Sequence, residues 1–250
     1  MKALITGASS GIGRDMARAL AGRGYDLILV ARRLDRLEAL KQELPVDVQV
    51  IAADLSDPDA CMRLYETVKN QTIDVLINNA GFGAFGAFDK TPLARDLALI
   101  DVNIRAVHML TKLFLPDMRS RDFGYILNVA SSAAFLPGPL LAAYYASKAY
   151  VLRLTQSIYG ELREEGSNVH ICALCPGPVA TEFDSVANVR FSLHSLKSRD
   201  VANYAIKKMF QKKLTIIPGV QMKLSKFILR FLPDRLIIWI AHMLQSKKMG

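Results

Sequence analysis

The chain has 250 residues, 51% of them hydrophobic and 22% charged, with a formal net charge of +9. That apolar content excludes a disordered chain, and the length suits one large domain with a substantial core. Three cysteines are too few for a disulfide framework, and no run reaches the ~18 unbroken apolar residues of a membrane-spanning helix.

Strand candidates in chain order are "KALIT" (2–6), "DLILVA" (26–31), "VQVIAA" (48–53), "DVLIN" (74–78), "YILNVA" (125–130), "VHICAL" (169–174) and "LTIIP" (214–218). A strand-like run starting at the second residue predicts no cleavable leader and a cytoplasmic location. Helix-like segments fall between the strands, at 11–24, 32–44, 57–70, Thr91 to about Arg119, and about Leu140 to Glu165. Near-continuous Val/Ile/Leu strands separated by amphipathic helices predict a parallel sheet covered on both faces. The expected fold is α/β: a doubly wound, Rossmann-like parallel sheet of about seven strands. It forms one domain over 1–250, with 220–248 as a basic, apolar helical extension.

Ligands of such sheets bind beyond the carboxyl ends of the strands. There, "TGASSGIG" (6–13) joins the first strand to the first helix. Gly7, Gly11 and Gly13 permit a tight turn, and Ser9, Ser10 and Ile12 share a loop whose amides suit a pyrophosphate at a helix N-terminus. The second strand ends in Ala31, Arg32 and Arg33, where an NAD-binding chain usually offers an acidic residue. Arginine forks onto phosphate, so NADP(H) is expected rather than NAD(H). Asp35 is the rival acidic residue, expected a turn inside the next helix.

Cys172 and Cys175 form a CxxC, but on a buried strand positions three apart face opposite ways, so packing cysteines are expected rather than a redox pair. His108, His170, His194 and His242 lack ligand spacing, and no metal is expected. In "AAYYASKAY" (142–150), Tyr144 and Tyr145 precede Lys148 by four and three residues. At ~100° per residue either tyrosine can meet the lysine on a helix, so spacing alone leaves both open.

"TGASSGIG", "ADLSD", "NNAG", "NVASS", "YYASK" and "PGPVAT" occur in the order and approximate spacing of the short-chain dehydrogenase/reductase family. Residues 1 to about 185 resemble its single-domain form, in particular a bacterial group of undefined substrate related to 3-ketoacyl and steroid carbonyl reductases. The resemblance implies an NADP(H)-dependent oxidoreductase acting on a ketone or secondary alcohol. Its YxxxK fits Tyr144 to Lys148, which selects Tyr144 as general acid/base. Its serine matches Ser131 and its helix asparagine Asn103. Asp54 and Leu55 match adenine contacts, and Asn79, Ala80 and Gly81 the segment by the adenosine ribose. Pro176, Gly177, Val179 and Thr181 match the segment flanking the nicotinamide. A lysine near the tyrosine is expected to lower its pKa by ~2 units from ~10. The competing class is a non-catalytic dinucleotide-binding regulatory or scaffold protein on the same fold.

Phe82, Phe85, Phe135, Leu136, Phe183 and Phe191 are candidate pocket residues, which suit a small hydrophobic carbonyl or alcohol substrate. Thr181 to Lys197 resembles the family's substrate-covering segment, and a homo-oligomer, dimer or tetramer, is expected. From Arg199 onward lie eleven Lys/Arg but two Asp/Glu, so the last fifth of the chain carries the whole net charge. There, Phe227, Phe231, Leu236, Ile237 and Trp239 are expected to cover an apolar surface of the protein itself, or secondarily to lie on an anionic membrane surface. No base-reading motif accompanies the charge, so no nucleic-acid partner is expected.

Overall fold

The structure is a computed structural model that describes residues 1–183 and 195–246. Seven strands form one all-parallel sheet in the order β3-β2-β1-β4-β5-β6-β9. They are β1 (Lys2–Thr6), β2 (Asp26–Ala31), β3 (Val48–Ala52), β4 (Val75–Asn78), β5 (Tyr125–Val129), β6 (His170–Leu174) and β9 (Thr215–Ile216). All seven coincide with the expected apolar runs. β7 (Val179–Ala180) and β8 (Leu196–Lys197) pair separately, also in parallel.

The strands are continuous in apolar residues because both faces are covered. Ala3 and Ile5 point into a core under α1 (Gly11–Ala21), and Leu4 into the opposite core with α3 (Pro58–Val68). α2 (Leu34–Glu43) follows β2, and α6 (Ala142–Glu164) follows β5. α7 (Ser198–Phe210) packs on α1 through Val201, Ala202, Ala205, Ile206 and Met209. The strand order turns back between β1 and β4, so the loops after these strands splay apart over a crevice.

Three sequence expectations change in detail. The segment from Thr91 to Arg119 divides into α4 (Leu93–Ile100), a π-helical turn (Asp101–Ala106) and α5 (Val107–Ser120). Asp35 stands in the first turn of α2 rather than a turn inside it. The tail forms α8 (Val220–Leu229), which buries no residue, and α9 (Asp234–Ser246), which buries Ile237, Ala241 and Gln245. Of the five apolar tail residues expected to be covered, only Ile237 is; Phe227, Phe231, Leu236 and Trp239 are exposed. α8 meets the body of the protein through Met222 and Lys226, on Gly177 and Phe135, and among the described residues nothing covers its Phe227 and Phe231.

Cys172 and Cys175 lie in different cores, as the strand alternation requires. Burial pushes both thiols up, Cys175 to about 12.

Candidate active site

A cavity of about 500 Å³ opens beyond the carboxyl ends of the strands. One end is walled by Gly7, Ser9, Ser10, Gly11 and Ile12, with Arg32 and Arg33; the other holds Ser131, Tyr144 and Lys148. Asp54, Leu55, Asn79, Ala80 and Gly81 line it between, and Pro176, Gly177, Val179 and Thr181 close the opposite wall. The topology thus gathers residues from 7 to 181 around one space.

The glycine loop is built by contacts that exclude side chains. Gly7 has φ +66°, and a Cβ on it would lie 2.8 Å from Asn79 Nδ2. Gly13 stands behind the cavity wall, where a Cβ would meet the Gly7 carbonyl oxygen at 2.4 Å. Asn79 fixes this approach by donating to the carbonyls of Thr6 (3.0 Å) and Gly7 (3.1 Å). Ser10 precedes α1 in extended conformation without capping it through its side chain, and no acidic residue occupies the first turn. Free backbone donors and a positive helix end therefore face the cavity. This donor set, with arginines beside it, fits a dinucleotide.

Arg33 spans that end. Its Nη2 donates to the hydroxyls of Ser9 and Ser10, both at 3.1 Å, and its Nη1 to Glu182 Oε2 at 2.9 Å. Arg36 bonds the other oxygen of Glu182. The two arginines hold the Glu182 carboxyl down at about 2, Arg36 having the larger effect. Arg32 is more exposed and stands 3.9 Å from Asp54. Asp35 lies outside the cavity walls.

At the other end, the π-helical turn carries Asn103 inward to complete burial. Its amide donates to the Phe82 carbonyl and to Ser147 Oγ, both at 3.0 Å, while its oxygen accepts from the Phe82 amide at 3.1 Å. This clamps the loop after β4 beside Lys148. A Cβ on Gly81 would sit 2.9 Å from Asn103 Oδ1 and 3.2 Å from Lys148 Nζ. Lys148 is itself buried, donates to the Val129 carbonyl at 2.9 Å, and is lowered by burial to about 8.

The adjacent tyrosines part company. Tyr144 shares the cavity wall with Ser131, which draws its pKa down, and has Lys148 Nζ 5.8 Å from its ring centre. Tyr145 turns to the tail, accepting from Gln245 Nε2 at 2.5 Å, with Gly138 flat against its ring. Burial pushes Tyr144 up to about 12, against the lowering influence of Ser131. The expected lowering by Lys148 is therefore reversed, because desolvation acts on both groups and the ammonium is committed to a carbonyl.

Phe82, Leu136 and Phe183 line the cavity as expected. Phe85 packs behind it with Leu141 and the tyrosines, and Phe135 packs away under Lys226. Phe191, and most of the 181–197 segment, lie outside the described residues. Sequence reasoning missed Arg36, Glu182 and the tail residues Met222, Ala241 and Gln245, the last three of which roof the cavity. Arg36 carried a signal, lying one turn after the arginine pair; the roof residues carry no chemistry that singles them out. Among the described residues no cluster of His, Cys, Asp and Glu could hold a metal.

Residues 1–189 match the family described as short chain dehydrogenase. An uncharacterized oxidoreductase of Staphylococcus saprophyticus is 40% identical over 182 residues, 72% of this chain and 74% of that one. Among solved structures, a short-chain dehydrogenase from Sphingobium yanoikuyae in complex with NADPH superposes with a TM-score of 0.82 at 29% identity, covering 93% of this chain and 96% of that one. A short chain dehydrogenase/reductase from Burkholderia phymatum in complex with NAD gives 0.83 at 25% identity, covering 90% and 91%.

Proposed function

The chain belongs to the short-chain dehydrogenase family, and from that premise we propose that it is an NADP(H)-dependent oxidoreductase of hydrophobic ketones or secondary alcohols. The observation that carries this reading is the meeting of Ser131, Tyr144 and Lys148 at one end of a cavity whose other end is a glycine loop with arginines. A bound nicotinamide cofactor supplies the hydride. The chain supplies the proton and the charge stabilisation. Ser131, on the cavity wall with Tyr144, orients a carbonyl oxygen against the tyrosine hydroxyl. Reduction needs that hydroxyl protonated at the start, which is the form its burial favours. Lys148, buried beside Tyr144, sets the local field and would hold the cofactor ribose, and Asn103 positions the loop beside it.

Arg33, aimed over Ser9 and Ser10, is the main candidate for the NADP(H) 2′-phosphate, with Arg32 beside it. The apolar walls Phe82, Leu136, Leu141, Phe183 and Met222 favour a hydrophobic substrate over a sugar. The alternative, a non-catalytic dinucleotide-binding protein, is disfavoured by the complete Asn103, Ser131, Tyr144 and Lys148 set. A homo-oligomer is supported by the exposed stripe of Leu93, Leu97 and Ile100 on α4.

The test is single-turnover NADPH oxidation with a hydrophobic ketone. Tyr144→Phe should lower the chemical rate by ~10²–10⁴-fold with cofactor binding retained. Tyr145→Phe should keep most of the rate. The reverse pattern would assign the acid to Tyr145 instead.

A further inference from the structure

We propose that Glu182 is a built-in competitor for the 2′-phosphate of NADP(H), its carboxylate holding the two arginines that the phosphate would engage. This rests on the NADP(H) reading above and adds a residue that sets how strongly that preference is expressed.

The geometry is that of a phosphate site occupied by a side chain. Two guanidinium groups, from Arg33 just before α2 and Arg36 in its first turn, each take one oxygen of the same carboxylate. Arg33 also donates through Nη2 to the Ser9 and Ser10 hydroxyls, within the loop that would cradle the cofactor phosphates. Glu182 reaches this place from 149 residues downstream, two residues after β7. It is therefore a bridge across the mouth of the cavity, from the wall near Tyr144 to the arginine end.

The charge arithmetic makes the two occupants exclusive. Glu182 and Asp54 are the acidic residues on the cavity wall, and Glu182 stays ionised across the ordinary pH range. A phosphate carrying nearly two negative charges cannot share Arg33 with a carboxylate at hydrogen-bond distance without strong repulsion. Both arginines and Glu182 are close to half-exposed, so the ion pairs between them are readily exchanged. NADP(H) binding then displaces Glu182. A cofactor without the 2′-phosphate leaves the bridge closed.

The experiment measures dissociation constants of NADPH and NADH for the unmutated chain, Glu182→Gln, Glu182→Asp and Arg33→Ala. Glu182→Gln should tighten NADPH about 3- to 10-fold and leave NADH unchanged, widening the preference. Glu182→Asp, with its shorter reach, should fall between. Unchanged or weakened NADPH binding in Glu182→Gln would overturn the proposal, the latter by making Glu182 a brace for the arginines. Failure of the underlying reading looks different: NADPH and NADH bind the unmutated chain equally, and Arg33→Ala leaves both alike.

Discussion

At the tyrosine pair, one peptide bond separates two side chains with different surroundings: Tyr144 lies beside Lys148 in the cavity that Ser131 also lines, and Tyr145 bonds Gln245 of the tail. Helical spacing leaves both tyrosines near Lys148, so the sequence pattern alone does not choose between them. The Tyr145–Gln245 bond distinguishes them, because it turns that hydroxyl to the tail. Arginine function is legible to a similar depth: "ARR" after β2 marks a phosphate-seeking end, but Glu182 meets Arg36 only across a sequence separation of 146. Arg33→Ala should cost NADPH binding about 1.5–3 kcal/mol and NADH binding little, read from their dissociation constants. Arg32→Ala should cost less, since that side chain is 72% exposed. A different residue governs pH tolerance. His170 is fully buried between the rings of Tyr125 and Tyr159, and burial, with Arg163 and Lys212 nearby, lowers it to about 4. The unfolded chain, with a histidine near 6.5, binds the extra proton between those values. Stability should therefore be full above about pH 6.5 and fall by at most about 3 kcal/mol as pH drops toward 4. Denaturant midpoints of His170→Phe should be flatter over that window than those of the parent.

Among the elements, the long strands are legible because double burial makes them unbroken apolar runs, whereas two-residue β7 and β8 are too short to leave a pattern. The division of the 91–119 helix is hidden for another reason. A π turn keeps the chain helical while its extra residue shifts which side chains face inward, and its trace here is the inward turn of polar Asn103. Replacing Asn103 by Leu removes three hydrogen bonds and leaves the Phe82 amide and carbonyl unpartnered, a cost of about 1–3 kcal/mol per buried group. Chemical denaturation of Asn103→Leu against Asn103→Asp should show the larger loss in leucine. The tail helices present a separate question. Lys223, Lys226, Arg230 and Arg235 flank the exposed Leu224, Phe227, Phe231 and Trp239, with Asp234 as the one acid between 220 and 246. A second copy docking through the same face would oppose like charges, whereas an anionic lipid surface matches both the charge and the apolar residues. No described helix is long and apolar enough to cross a membrane. Binding to phosphatidylserine vesicles, weakened by salt and by Phe227→Ser with Phe231→Ser, is the expected outcome of cosedimentation.

Across the whole molecule, the cavity takes its walls from two separate stretches of chain. The cofactor end is complete within residues 7–183, while the roof over Tyr144 and Tyr145 comes from Met222, Ala241 and Gln245. Ligands binding the folded state alone shift its melting point by mass action, about 2.7 kcal/mol at a hundredfold excess over Kd. For a chain of this size that is roughly 5–10 °C. The division of the walls makes the shift a map. In the full chain, NADPH and a hydrophobic ketone should each raise the melting temperature. In a chain ending at Gly219, NADPH should still do so, because its contacts remain, and the ketone should lose its effect along with the roof. Equal shifts from the ketone in both chains would mean the roof contributes nothing to its binding.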